Sequence, residues 1–177
     1  MKTKILIAIV IALGIFLIWY LTPRQYTATL DGVYYQLDKE EVIENVKLHF
    51  EGKLQNRMNG KKNFNGVINF EGMKIPHLPQ DRTELILQYQ GDNFSTIFSG
   101  FRVIDEKGRV VPDIYTYGGI YINDDFTQFT ITVFIDGDSQ TWSSSDGLMI
   151  TAPAKDRVEA SNLSRKLMSR LGITLNN

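Results

Sequence analysis

The sequence predicts a mainly β domain that follows an N-terminal transmembrane helix and ends in an α-helix. Three observations predict it. The run Ile5 to Leu21, ILIAIVIALGIFLIWYL, holds no charged or strongly polar side chain. From Tyr26 to Thr151, short segments of alternating apolar and polar residues are separated by Gly, Asn, Asp and Pro, the pattern of antiparallel strands joined by tight turns. After Pro153 the period changes, and Ala160, Leu163, Leu167 and Leu171 fall on one helical stripe. The expected architecture is an antiparallel β-sandwich or closed β-barrel of about eight to ten strands with a C-terminal α-helix. Residues 1–24 form the anchor, and residues 25–177 form one β-rich domain whose helix spans roughly 154–171.

Taken in order, the apolar run comes first. A helix rises about 1.5 Å per residue, so the run reaches about 25 Å, against a bilayer hydrocarbon core of about 30 Å. Lys2, Lys4 and Arg24 extend the span by snorkelling, and Trp19 and Tyr20 lie where amphipathic rings favour the interface. Two lysines precede the run and one arginine follows it, which predicts a cytoplasmic N-terminus and an external domain. The alternative is a cleaved secretory signal. The basic start fits, but the small-x-small cleavage pattern is poor, with Tyr26 two positions before Ala28. The expected location is the cytoplasmic membrane, crossed once; secretion after cleavage is the alternative.

The strands follow. Tyr26, Ala28 and Leu30 alternate with threonines, and Asp31-Gly32 reads as a turn or bulge before Val33-Tyr34-Tyr35. Asp38 to Glu41 has the spacing to cap one short helical turn. Val46, Leu48 and Phe50 keep a period of two, Asn59-Gly60 marks a hairpin, and Phe64 to Phe70 returns. A loop with Pro76 and Pro79 precedes Leu85, Leu87 and Tyr89. Phe94 to Ile104 turns at Asp105-Glu106-Lys107-Gly108 into Arg109 to Tyr117; Gly118-Gly119 then separates Ile120 to Ile122. After the turn Asn123-Asp124-Asp125, the residues Phe129, Ile131, Val133 and Ile135 alternate. A polar loop over 136–147 leads to a short strand from Leu148 to Thr151. In the terminal helix, Gly172 stands at the C′ position, Ile173 can make its apolar contact, and Lys166 and Arg170 complement the dipole.

Composition limits the chemistry. With no cysteine in 177 residues, thiol catalysis, Cys-based metal sites and a lipid-anchored start are excluded. Of 19 basic residues, 17 remain without Lys2 and Lys4, against 20 acidic ones, so the domain offers no electrostatic reason to bind nucleic acid. The two histidines, His49 and His77, are too few for a His-based zinc site. No metalloprotease, nucleophile-elbow or phosphate-loop motif occurs. Gly137-Asp138-Ser139 matches the start of an esterase motif, but no histidine follows His77 to complete it. Asp136, Asp138 and Asp146-Gly147 invite a calcium loop, yet Gln140 and Trp142 break the ligand alternation. No cofactor is expected, and Asp124-Asp125 reads as a turn.

Two binding features remain. Tyr115, Tyr117 and Tyr121 share strand parity around Gly118-Gly119, and with Trp142 they form a candidate interaction face. A repeated Phe-x-Gly pattern (Phe50 to Gly52, Phe64 to Gly66, Phe70 to Gly72, Phe98 to Gly100) puts ring and glycine on one strand face. This either curves the sheet or makes Phe50, Phe64 and Phe98 a pocket floor.

With the anchor, the Phe-x-Gly strands and the segment D-G-L-x-I-x-A-P-A-x-x-R-x-x-A from Asp146 to Ala160, the chain resembles the small membrane-anchored extracytoplasmic proteins of Gram-positive bacteria that carry no assigned function. The resemblance implies a location and supplies no catalytic residues. The leading expectation is a non-enzymatic binding or accessory module held at the outer face of the cytoplasmic membrane, with another envelope protein as partner. The alternative is a barrel-type carrier of a small apolar ligand; a hydrolase is less supported, for want of a nucleophile, base and orienter.

Overall fold

The alternating segments become eight strands, and one sheet uses all of them. A computed structural model describes residues 2–76, 78–134 and 141–175. The order is α1 (Lys2–Leu21), β1 (Arg24–Gln36), β2 (Val42–Asn56), β3 (Lys62–Glu71), β4 (Leu85–Tyr89), β5 (Phe94–Ile104), β6 (Val110–Ile122), β7 (Phe129–Val133), β8 (Leu148–Ala152) and α2 (Arg157–Ser169). Each strand pairs antiparallel with the next, and β8 returns to β1, with Val33 opposite Thr151 and Gln36 opposite Leu148. The sheet is therefore a closed up-and-down barrel, in which closure removes the exposed edges of an open sheet.

Two glycine sites that read as interruptions, Asp31-Gly32 and Gly118-Gly119, lie inside strands. Gly32 does not turn the chain; it continues β1 where β8 closes on it. A Cβ at Gly32 would stand 2.7 Å from the Thr151 carbonyl oxygen and 2.9 Å from Ala152 Cβ. Gly118 and Gly119 likewise run through β6, where a Cβ on Gly118 would collide with the Thr132 carbonyl oxygen. Both sites need the close approach of a neighbouring strand. Gly52 and Gly66 face each other across β2 and β3, and the Phe64 ring lies 2.8 Å from a Cβ built on Gly66. At this pair the Phe-x-Gly pattern brings two strands together under a ring.

Local signals hold where the turn is short. Asn59-Gly60 closes β2 to β3 with Gly60 at φ +78°, and Arg57 and Lys61 pair across it. Asp105 accepts from the Lys107 and Arg109 amides at 2.9 and 2.8 Å, shaping the β5–β6 turn. Residues 37–41 form a turn without helix. In α2, Asp156 caps the Glu159 amide at 2.9 Å, and Glu159 reaches back to the Lys155 amide at 3.0 Å. Its end carries Gly172 at φ +74°, with the Ile173 amide donating to the Met168 carbonyl, a Schellman-type stop.

Two cores result. Inside the barrel lie Leu48, Phe50, Phe64, Ile68, Leu87, Ile97, Ile120, Phe129, Ile131 and Ile150. Outside it, α2 sets Ala160, Leu167 and Met168 against Val33, Tyr35, Tyr121 and Met149. Leu171 of the expected stripe is exposed, and Met168 takes the buried position.

One barrel end adjoins α1, since Gln55 and Asn56 donate to the Leu21 and Tyr20 carbonyl oxygens at 2.7 and 3.2 Å. Helix α1 is long and apolar enough to cross a membrane, and none of its apolar window is buried. At this end Phe126 turns inward from the β6–β7 loop at φ +56°. Its ring meets those of Tyr26, Phe50, Phe64, Tyr89 and Phe129 at centroid distances of 4.8–5.7 Å. Phe126 is the plug of that half of the barrel, so Phe126→Ala should cost about 3–5 kcal/mol in chemical denaturation, with the unfolding slope unchanged.

Candidate functional site

The opposite, distal end is built differently. The β3–β4 loop crosses the mouth there, and Ile75 and Leu78 pack from it onto the barrel core. Two clamps hold it. At one side the Glu44 carboxylate of β2 accepts from the Met73 and Lys74 amides at 2.9 and 2.8 Å. At the other, Arg82 donates to the Asp113 carboxylate at 2.8 Å and to its carbonyl oxygen at 3.2 Å. The same guanidinium sits 4.2 Å above the Phe101 ring, a cation–π contact on a nearly buried arginine.

Beside this loop lies a half-open groove of about 310 Å³, lined by Ile68, Asn69, Phe70, Gly72, Ile75, Pro76, Leu78, Leu85 and Tyr117. The Phe70 ring stacks on Tyr117 at 5.2 Å. The Tyr117 hydroxyl is buried and has no hydrogen-bond partner among the described residues. Burial, with Tyr34 and Tyr115 nearby, pushes its pKa far above the ordinary tyrosine value, so it stands in the wall as a neutral O–H.

Tyr117 arrives there through a bulge. Ile97 pairs with Gly118 and Phe98 with Thr116, so Tyr117 is the extra residue in β6. An extra residue reverses the parity of a strand. Tyr115 and Tyr117 therefore belong to the barrel interior, whereas Tyr121 packs outside under α2. This corrects the expected aromatic face: Tyr117 is 1% exposed and Tyr121 6%, and they lie on opposite sides of the sheet. Trp142 is half-buried against the outer core and donates to the Leu148 carbonyl oxygen at 3.2 Å.

Of the candidate pocket floor, Phe50 and Phe64 meet edge to face at 6.1 Å inside the plugged half. They fill the barrel there. Phe98 belongs to neither core, because its neighbour Ile97 takes the inward position. A closed barrel is the architecture the carrier reading requires, but the groove lies at the distal mouth, away from these rings.

Beyond Phe98 on β5 and before Tyr117 on β6, the two strands pair only with each other among the described residues. They form a ribbon that extends past the barrel wall. Cross-strand neighbours share a face. Ser99, Phe101 and Val103, opposite Tyr115, Asp113 and Val111, make the face that Arg82 touches. The other face carries Ile104 opposite Val110, Arg102 opposite Pro112, and Gly100 opposite Ile114. On it Ile104, Val110 and Ile114 are 74%, 64% and 62% exposed.

Other candidates resolve into structural roles. Thr29 Oγ1 lies 2.8 Å from His49 Nδ1, and His49 Nε2 lies 3.1 Å from Glu71 Oε1. This order of groups echoes a nucleophile, base and orienter. The Nε2 contact is off the direction of a hydrogen bond, however, and Thr29 is exposed on the barrel wall. Asp124 holds Asn93 and Arg170 at 2.8 and 3.2 Å, chiefly the Asn93 bond lowering its pKa, so it ties a turn to α2. Asp146 accepts from Ser145. Among the described residues no group of three or more acidic or histidine side chains could hold a metal. His77, Asp136, Gly137, Asp138 and Ser139 lie outside the described residues. A larger groove of about 780 Å³ runs between α2 and the β1–β2 turn. Its Arg157 already donates to the Lys39 and Leu37 carbonyl oxygens and covers the Tyr35 ring, and its Arg165 bonds Ser161. Both guanidiniums thus serve the fold, tying α2 to the β1–β2 turn and to itself. Comparison with known proteins finds no matching family model, no matching curated protein and no matching solved structure.

The clamp at Glu44 makes a pH prediction. The Lys74 and Met73 amides lower its carboxyl pKa below the usual value of 4.5. A depressed carboxyl contributes stability that is full above 4.5 and is lost as the pH falls through the folded value. Hydrogen exchange at Met73 and Lys74, corrected for intrinsic rate, should lose its protection in acid below that point. Glu44→Gln should weaken that protection at neutral pH.

Proposed function

We propose that the protein is a membrane-anchored, non-enzymatic binding module that docks another envelope protein on the outer face of the β5–β6 ribbon. The observation that carries this reading is the apolar set Ile104, Val110 and Ile114 on a barrel exterior, where alternation normally places polar residues. Arg102 is the one charged residue among the cross-strand pairs of that face. The apolar α1 supports tethering, and Lys2 and Lys4 at its start, ahead of the apolar run, support an external domain. A tether confines the domain to the membrane surface and raises its effective concentration toward partners there. The ribbon tip lies at the barrel end away from α1, which supports a docking face that a membrane at α1 would leave uncovered. The non-enzymatic reading draws support from the exposed, poorly aligned Thr29–His49–Glu71 contact.

Photocrosslinking tests the surface. With p-benzoylphenylalanine replacing Ile114 in full-length protein in its native membrane, one defined envelope protein should be captured. Lys53, exposed on β2, is the control position and should give no such product. Ile104→Asp should cut capture at Ile114 by about tenfold or more while leaving stability within about 0.5 kcal/mol. Equal capture from Lys53, or capture indifferent to Ile104→Asp, would remove the ribbon from the interface.

A further inference from the structure

We infer that the tip of the β2–β3 hairpin is a second membrane contact, docking on the headgroups of anionic phospholipids beside α1. The inference rests on the reading of α1 as a membrane tether and is independent of the ribbon's partner. Depth comes first. Leu54 of β2 lies opposite Arg24, the first residue of β1. Strand β2 continues two residues further, to Asn56, a reach of up to about 7 Å at the rise of a strand. There Gln55 and Asn56 donate to the Leu21 and Tyr20 carbonyl oxygens, and the turn from Arg57 to Lys61 follows. Only Thr22 and Pro23 separate α1 from β1. Arg24 stacks at 3.9 Å over the Trp19 ring and donates to the Trp19 carbonyl oxygen. Helix and barrel are thus joined without slack. The hairpin tip is held level with the last turn of α1, where Trp19 and Tyr20 favour the membrane interface.

The chemistry of the tip names its partner. Between Glu51 and Glu71 the chain carries Lys53, Arg57, Lys61 and Lys62 and no carboxylate, although acidic residues outnumber basic ones in the domain. Met58 is 83% exposed, an apolar side chain that the protein leaves in water. At the headgroup boundary its thioether enters the apolar layer while the flanking cations stay with the phosphates. An open groove of about 440 Å³ lies between Leu21 at the end of α1 and Arg57, Met58 and Asn59 of the hairpin, which leaves room for a headgroup. Neighbouring loops temper the charge without reversing it. Asp92 and Asp125 are exposed at this end, and Asp124 is held by Asn93 and Arg170 with Lys61 nearby. Against these carboxylates stand Arg24, Arg57, Lys61, Lys62 and Arg170. Arg57 donates to the Gln90 carbonyl oxygen, whereas Lys62 makes no ion pair among the described residues. An anionic lipid surface supplies the missing charge; a zwitterionic one attracts such cations far less.

The test exploits the methionines. Met73, 86% exposed on the distal loop, matches Met58 in exposure at the opposite end of the barrel. Met149 and Met168 are buried between the barrel and α2. Full-length protein with isotope-labelled methionine methyls is placed in lipid nanodiscs that carry a phospholipid spin-labelled near its headgroup. With phosphatidylglycerol as about one-third of the lipid, the spin label should relax the Met58 methyl at least about threefold faster than that of Met73. In phosphatidylcholine alone, or in about 0.5 M salt, the Met58 effect should fall by about half or more. Lys61→Gln combined with Lys62→Gln should lower it as much, with the Met149 and Met168 resonances unmoved to show an intact fold. Should that variant unfold, the lipid and salt comparisons on the unsubstituted protein decide alone. Equal relaxation of Met58 and Met73 would overturn the inference. A Met58 effect indifferent to phosphatidylglycerol and to salt would overturn it too, because the tether alone would then bring the tip to the lipid. Protein that fails to co-purify with the discs would remove the tether reading and this inference with it. Co-purification without contrast between Met58 and Met73 would leave the tether standing and remove the docking alone.

Discussion

Closure of the sheet between β1 and β8 is the constraint on which the rest of the structure depends. An open antiparallel sheet in this order would expose the edges of β1 and β8 and one apolar face. Closure requires β8 to come down onto β1 at Gly32, where no side chain larger than hydrogen fits beside the Thr151 carbonyl oxygen. The seam is then fastened from outside. Tyr35 Oη reaches Ser164 of α2 at 3.0 Å and Thr151 of β8 at 3.3 Å, and Thr151 meets Thr130 of β7 at 3.2 Å. One tyrosine thus links three elements, and burial, the largest influence on it, raises its pKa and keeps it a donor. Helix α2 is amphipathic because it covers this seam. Its register is fixed at one end by the Asp156 cap and at the other by Gly172.

Much of this was legible because it is local. The alternation of Val46, Leu48 and Phe50, the Asn59-Gly60 hairpin, the Asp105 turn and the glycine stop of α2 each depend on residues within a few positions of one another. The errors share another origin. Asp31-Gly32 and Gly118-Gly119 have the composition of turns, yet each glycine answers to a strand far away in sequence: Gly32 to Thr151, and Gly118 to Thr132. The choice of barrel over sandwich has the same source, since it is decided by whether β8 finds β1. The aromatic face failed for a subtler reason. Parity counting assumes an unbroken pleat, and the extra residue at Tyr117 breaks it. No local property of Tyr-Thr-Tyr-Gly-Gly marks which residue will bulge.

That bulge joins the two candidate sites. Below it, β6 takes part in the barrel, pairing with β7 from Gly118 onward. Above it, β6 leaves the barrel with β5 as a two-stranded ribbon. A barrel strand has one face in the core and one in water, but a ribbon that has left the wall shows both faces. The inner face is occupied by Arg82, which spans from the Phe101 ring to Asp113. The outer face keeps Ile104, Val110 and Ile114 in water. Without the parity change Tyr117 would point outward, and the distal mouth would have no hydroxyl in its wall. A single inserted residue therefore places an apolar strip outside and a polar point inside, on the same strand and within a few residues.

The two halves of the barrel then differ in what their rings do. Near α1, Phe126 enters in a left-handed conformation uncommon for a residue with a Cβ, and six rings close on one another. Such packing accounts for stability and leaves no room for a ligand. At the distal mouth an unpaired buried hydroxyl costs about 1–3 kcal/mol, and phenylalanine at position 117 would keep the stack on Phe70 without that cost. A core built for stability alone would discard the oxygen. The plugged half meets the demand for stability, which frees the distal half to carry a costly polar atom.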